Sequence, residues 1–217
     1  MEFHARLVRW KEIEDWCISI RDKVLDSYDP DVIIGLSRGG LVPARILSDM
    51  LWIKDLYAVK TEHWGITAKA DGKAILREDG TINVANRKVL IVDDITDTGS
   101  SMMLARDYVF RHKPAGLKTS TMLHITHSKY RPDFFAEEVE DKNWTWFIFP
   151  WNVYEDILNL TLKVLKDPMT LSALESALKE HFDLNTEAAD LEEILNYLAA
   201  RGRIIHSGNL WAPARPS

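Results

Sequence analysis

Residues 89–101, Val-Leu-Ile-Val-Asp-Asp-Ile-Thr-Asp-Thr-Gly-Ser-Ser, join an apolar strand to paired carboxylates and a small, hydroxyl-rich turn. Val89 to Val92 have the length and composition of a buried strand. After Gly99 the run Ser101-Met102-Met103-Leu104-Ala105-Arg106 predicts a helix start, so unsatisfied backbone N–H groups and the positive end of the helix dipole meet at the turn. Such a turn holds a phosphate. Gly99 lets the backbone approach an anion closely, and Thr96, Thr98, Ser100 and Ser101 add hydroxyl donors. Asp93 and Asp94 stand on opposite sides of the end of the extended chain, placed to grip two adjacent hydroxyls or a divalent metal. Asp97 lies inside the phosphate loop itself. Like charges repel, so these carboxylates make sense beside a phosphate if the ligand also carries hydroxyls, a divalent cation or a carbon that becomes cationic during reaction. The simpler alternative is a strand-to-helix turn whose carboxylates merely cap a helix.

Three further groups have chemical potential. Ser37-Arg38-Gly39-Gly40 follows the apolar run Val32 to Leu36, which puts its amides and guanidinium at the carboxyl edge of a sheet, where α/β proteins bind ligands. The arginine fork suits pyrophosphate oxygens. Lys60 ends a second strand candidate, where an exposed lysine is otherwise unremarkable. Trp144 to Trp151 form an aromatic strand ending at Pro150. About half of these rings are expected in a core, while a flat heterocycle binds best by stacking on an aromatic face with backbone groups in its plane.

The elements that must position these residues alternate. Trp10, Ile13, Trp16, Cys17, Ile20, Val24 and Leu25 follow a helical period over 10–27. Strand candidates at Val32 to Leu36, Leu56 to Val59, Val89 to Val92 and Ser120 to Ile125 are separated by helices near Val42 to Leu51 and Leu104 to His112. This order predicts an α/β fold, a Rossmann-like parallel sheet flanked by helices. Between Lys60 and Arg87 the periodicity fails, and Gly65, Gly72 and Gly80 divide a polar stretch with room for a short hairpin at most. From Asp167-Pro168 onward two helical faces, Leu171 to Leu178 and Leu191 to Leu198, precede strand candidates Arg203 to His206 and Leu210 to Ala212 joined by Ser207-Gly208-Asn209. The expected organisation is a domain over 1–166, with a flexible hood at 60–87, and a small C-terminal α+β, winged-helix-like appendage over 167–217.

The composition is that of a soluble globular protein: 217 residues, 46% hydrophobic and 28% charged. A formal net charge of −6 argues against general nucleic-acid binding, which needs a basic face. Acids also outnumber bases after residue 167, a poor fit for DNA phosphates. Cys17 is the only cysteine, which suits a reducing cytoplasm. No apolar run reaches bilayer length and the N-terminus is not signal-like, so neither a membrane nor nucleic acid is expected as a partner.

The thirteen-residue run at 89–101 resembles the phosphoribosyl-diphosphate (PRPP) signature of the type I phosphoribosyltransferases. The segment Trp146-Phe147-Ile148-Phe149-Pro150-Trp151 is similar to one in the microbial xanthine, guanine and hypoxanthine phosphoribosyltransferases. The resemblance covers 30–155 well, the first thirty residues loosely and the last fifty not at all. It implies that Asp93 and Asp94 contact the ribose hydroxyls and, directly or through water, Mg²⁺, and that Asp97 to Ser101, with Thr96, bind the 5′-phosphate. Ser37, Arg38, Gly39 and Lys60 would hold pyrophosphate, with a cis peptide between Ser37 and Arg38. Trp146 would stack on the base, Phe147 would offer main-chain groups and Ile95 would complete the base side. Asp97 would act as general acid/base, and the 60–87 hood would close over the site to exclude water.

The implied activity is transfer of ribose 5-phosphate from PRPP to a purine, a 6-oxopurine first, with release of pyrophosphate, by a cytoplasmic homodimer in purine salvage. Two departures stand out. Asn152 occupies a place usually acidic, near a second Mg²⁺, and the lysine that reads the purine 6-oxo group is missing near Ile125, where the sequence is His124-Ile125-Thr126-His127. The alternatives are a PRPP-sensing transcriptional regulator that uses its C-terminal segment on DNA, or a transferase for adenine, a pyrimidine or another acceptor.

Overall fold

The computed structural model describes residues 3–63, 74–77, 82–186 and 191–214. The first half of the chain carries β1 (His4–Leu7), α1 (Trp10–Ser27), β2 (Val32–Ser37), α2 (Leu41–Met50), β3 (Leu56–His63), β4 (Ala74–Arg77), β5 (Lys88–Thr96) and α3 (Ser100–Arg111). Then follow β6 (Gly116–Ile125), β7 (Phe134–Val139), a 3-10 turn at Asp141–Asn143, β8 (Thr145–Ile148) and α4 (Val153–Val164). The last part holds β9 (Met169–Thr170), α5 (Leu171–Phe182), α6 (Leu191–Ala200), β10 (Ile204–Ser207) and β11 (Leu210–Pro213). The chain divides into two compact units, Lys11–Trp144 and Met1–Trp10 together with Thr145–Ser217.

The larger unit is built on a six-stranded sheet in the order β4-β3-β2-β5-β6-β7. Only β3 and β4 are antiparallel; every other pair is parallel. Val32 to Leu36 and Val89 to Val92 are fully buried, as strands covered on both faces must be. Val32, Ile34, Leu36, Val89 and Ile91 pack with Met102, Ala105 and Val109 of α3, and burial of each large side chain contributes about 1.5–3 kcal/mol. Chain order reverses at β2, with β3 on one side and β5 on the other, which opens a crevice at their carboxyl ends.

Two expectations change in extent. The strand read over Val89 to Val92 runs on to Thr96, because β6 pairs with it as far as Thr96 opposite His124. Asp93 and Asp94 therefore belong to the strand, beyond its apolar stretch. The aromatic strand is shorter than its sequence, covering Thr145 to Ile148 only. In the stretch expected to form the hood, β3 and β4 pair from Lys60 opposite Arg77 to His63 opposite Ala74. The remainder of that expectation, at 64–73 and 78–81, lies outside the described residues.

In the smaller unit β1 pairs in parallel with β8, and β9, β10 and β11 form an antiparallel sheet in the order β10-β11-β9. The two helices and the hairpin expected after residue 167 are present, and β9 adds a third strand. Leu174, Leu178 and Phe182 of α5, Leu191, Ile194, Leu195 and Leu198 of α6, and Trp211 share one core with Ile157 and Leu160 of α4. Thr170 caps α5 by accepting a 3.3 Å hydrogen bond from the Ala173 N–H.

Candidate active site

Three loops of the larger unit leave neighbouring parallel strands on the same side of the sheet. β2 delivers Ser37 to Gly40, β5 delivers Asp97 to Ser100, and β6 delivers Thr126 to Tyr130. The first two flank the crevice at the reversal of strand order. The peptide bond between Ser37 and Arg38 is cis, as expected. The glycines that follow fit tightly against β5. A Cβ on Gly39 would stand 1.9 Å from Asp94 Oδ2, and one on Gly40 would stand 2.5 Å from the Val92 carbonyl oxygen and 2.8 Å from Asp93 Cα. Only bare backbone lets this loop lie on the two carboxylates. Lys60 lies beside Ser37 in the β2–β3 register, so the same edge carries Lys60, Ser37 and Arg38.

Asp93 and Asp94 are half-buried. The Asp94 N–H donates to Asp93 Oδ1 at 3.0 Å, and the Ile95 N–H donates to Asp94 Oδ1 at 2.8 Å. Burial pushes the Asp93 carboxyl well above its ordinary pKa, and the charge of Asp94 adds to the shift; the backbone N–H groups of Asp94 and Gly40 oppose it. Two crowded carboxylates short of solvent favour a cation or hydroxyl donors as ligands. Among the described residues no group of three or more His, Cys, Asp or Glu converges as a metal cage. A pair of carboxylates instead suits Mg²⁺, which keeps waters and takes its other ligands from substrate phosphates.

The loop that leaves β5 turns into α3 at Gly99. Gly99 is left-handed, with φ +78°, and starts α3. Its missing side chain matters twice, because a Cβ would also stand 2.7 Å from Ser128 Oγ and from Tyr130 Cβ. The Lys129 N–H donates to the Thr98 carbonyl at 3.2 Å, tying the β6 loop to the loop between β5 and α3. Thr98 Oγ1 accepts from the Ser100 N–H at 3.3 Å and pairs with Ser100 Oγ at 3.1 Å. Thr96 differs from its neighbours: it is buried, and its Oγ1 pairs with His124 Nδ1 at 3.0 Å inside the sheet. His124 is a satisfied core histidine, its pKa lowered by burial and by Arg131 against the pull of Glu138. Ile95, opposite Leu123, is half-buried.

Asp97 is held by residues that sequence reasoning did not assign to it. His127 Nε2 lies 2.8 Å from Asp97 Oδ1, and the Trp144 indole N–H donates to the same oxygen at 3.3 Å. His127 Nδ1 in turn meets Asp141 Oδ1 at 2.6 Å. Burial pulls the His127 pKa down, but hydrogen bonds and charge from Asp141 and Asp97 outweigh it and raise the net value. The usable signal was register: parallel pairing of β5 with β6 places the residues just past Thr96 beside those just past His124.

Trp146, Phe147 and Asn152 belong to the smaller unit. Trp146 is half-buried and packs against that unit's core, while the Arg6 guanidinium lies over the Phe147 ring at 5.2 Å. Phe149 stacks on Trp151 with centroids 5.0 Å apart, a core role for that part of the aromatic run. Asn152 precedes α4 and accepts the Asp156 N–H through its carbonyl.

The model of the family described as the phosphoribosyl transferase domain matches residues 3–157. A xanthine-guanine phosphoribosyltransferase of Idiomarina loihiensis is 29% identical over 147 residues, covering 68% of this chain and 86% of that protein. The crystal structure of a purine phosphoribosyltransferase from Pyrococcus horikoshii is 26% identical, with a TM-score of 0.58 over 70% of this chain and 94% of that one. A hypothetical protein from Neisseria gonorrhoeae with bound ppGpp shares the fold at 18% identity and a TM-score of 0.58, over 92% of this chain and 98% of that one. That likeness of fold must extend into the segment after residue 167. With the family model matched over residues 3–157, and two glycines laid on paired carboxylates and a left-handed glycine before α3 within that span, the chain belongs to the phosphoribosyl transferase domain family.

Proposed function

We propose that the protein transfers ribose 5-phosphate from PRPP to a ring nitrogen of a purine, a 6-oxopurine first, with release of pyrophosphate. The observation that carries this reading is the packing of the Ser37 to Gly40 loop on Asp93 and Asp94 at the reversal of strand order. The close approach of that glycine loop to two carboxylates supports a site that takes a sugar's hydroxyls beside a diphosphate. The names of the similar proteins, xanthine-guanine and purine phosphoribosyltransferases, support the choice of base class.

In this reading the amides and hydroxyls of Thr98 to Ser101 hold the 5′-phosphate and Asp93 and Asp94 hold the ribose 2′ and 3′ hydroxyls. Thr96 contributes through its place in the strand, since its hydroxyl is engaged by His124. Ser37, Arg38, Gly39 and Lys60 take the pyrophosphate as the bond from C1′ to its oxygen breaks. Asp93 and Asp94 would hold Mg²⁺ directly or through water, and the ion would supply positive charge against that of the leaving group. As one ring nitrogen forms its bond to C1′, the Asp97 carboxylate accepts the proton from N7 of the base. Trp146, Phe147 and Ile95 are assigned to the base on the strength of the motif.

We assign residues 1–166 to this chemistry, with 60–87 as its hood, and 167–217 to an appendage of the same cytoplasmic homodimer. The test is a panel of nucleobases incubated with PRPP and Mg²⁺, following pyrophosphate release. Release that depends on a 6-oxopurine supports the reading. Absence of release with every base, combined with a gel shift of DNA at physiological salt, replaces it with the regulator.

A further inference from the structure

The pairing of His127 with both Asp97 and Asp141 is a contact between segments far apart in sequence. The imidazole, about one-third exposed, bridges Asp97 Oδ1 at 2.8 Å and Asp141 Oδ1 at 2.6 Å. The Asp141 backbone is tied to the β6 loop, since its N–H donates to Thr126 Oγ1 at 2.9 Å. It opens the 3-10 turn at Asp141–Asn143, and Trp144 at the end of that turn gives the second donor to Asp97 Oδ1. Two donors from two segments thus converge on one oxygen of the residue that carries the proton in the proposed reaction. Two donors on one oxygen restrict the rotation of a carboxylate, which narrows the directions its other oxygen can take.

From this convergence we propose that His127 is a positioning residue for Asp97, oriented by Asp141 and assisted by Trp144, and that the clamp sets the rate of proton transfer rather than the affinity for PRPP. The inference rests on the proposed function, because it assumes that Asp97 does the proton chemistry. An imidazole suits the task. It is rigid, it presents two nitrogens on opposite edges, and each edge here meets a carboxylate.

Steady-state kinetics of the full chain, with PRPP, Mg²⁺ and whichever base it accepts, tests the clamp. His127→Ala is expected to lower kcat about 10- to 100-fold, the cost of a misplaced catalytic group, with KM for PRPP unchanged. His127→Gln, which keeps a donor, recovers part of that loss. Trp144→Phe, a milder change, lowers kcat in the same direction and serves if His127→Ala does not fold. In an Asp97→Asn background neither His127→Ala nor Trp144→Phe reduces kcat further, because the clamp acts only through Asp97. Equal losses in both backgrounds overturn the inference in favour of a purely structural role. So does a wild-type kcat in both single variants, or a change confined to KM. A wild-type protein that transfers to no base overturns the proposed function itself, and the clamp with it; a wild type that transfers while its variants match it overturns the clamp alone.

Discussion

Gly39 and Asp94 meet where no side chain fits: a Cβ added to Gly39 would lie 1.9 Å from Oδ2 and 2.4 Å from Cγ of Asp94. This contact joins the loop assigned to pyrophosphate with the carboxylate assigned to ribose. A change on either partner therefore moves the other.

Gly39→Ala is expected to weaken PRPP binding at least about tenfold, because either the loop backbone or the Asp94 carboxylate must leave its place. The global fold survives, since Asp94 is a short side chain at the sheet edge rather than part of the core. Calorimetric titration of PRPP with Mg²⁺ checks the first part and a thermal melt the second. Unaltered affinity would show that the close packing has no part in holding the substrate.

Asp97→Asn is expected to retain PRPP affinity while turnover falls roughly a hundredfold or more, the usual size of a general acid/base contribution. Single-turnover kinetics beside a binding isotherm separates the two. A variant that turns over at the wild-type rate removes Asp97 from proton transfer.

His127 gives the protein a pH dependence of definite sign. Its pKa in the folded state lies above the ordinary value of 6.5, because Asp141 and Asp97 outweigh the effect of burial. The stabilisation that its charge supplies is therefore fully present below about pH 6.5 and is lost as the pH rises through the higher folded-state value. The Tm difference between wild type and His127→Ala should be greatest in the mildly acidic range and should shrink above neutrality. A difference that grows with pH contradicts the ion-pair geometry.

The smaller unit depends on its own core. Leu178 is fully buried among α4, α5 and α6, so Leu178→Ala is expected to cost about 2–5 kcal/mol by urea unfolding. A cost below 1 kcal/mol would indicate a site that collapses around the cavity.

The legible parts of this fold were those where one physical signal dominated. Continuous burial wrote β2 and the first part of β5 into Val32 to Leu36 and Val89 to Val92, and helical spacing wrote α1 over Trp10 to Ser27. Where polar residues entered an element, its extent was hidden. β5 continues through Asp93, Asp94 and Thr96, which look like turn residues until β6 supplies their hydrogen-bonding partners. α4 escaped notice because Asp156 and Thr161, both buried, interrupt its apolar stripe. The four residues of β1 were too few to show a period. Of the candidate site, the loops at Ser37 to Gly39 and Asp97 to Ser101 could be placed at strand ends, because each continues a buried apolar run. The clamp on Asp97 could not, since His127 and Trp144 reach it across 30 and 47 residues, a distance that only strand register closes.

In the proposed function Asp93, Asp94 and the amides beside them hold an activated sugar diphosphate. Isothermal titration of PRPP into the full chain, with and without Mg²⁺, and into Asp93→Asn/Asp94→Asn, decides whether they do. Saturable uptake that requires Mg²⁺ and is lost in the double variant is the predicted result. Equal uptake by the double variant, or none by the wild type with Mg²⁺ present, would contradict it.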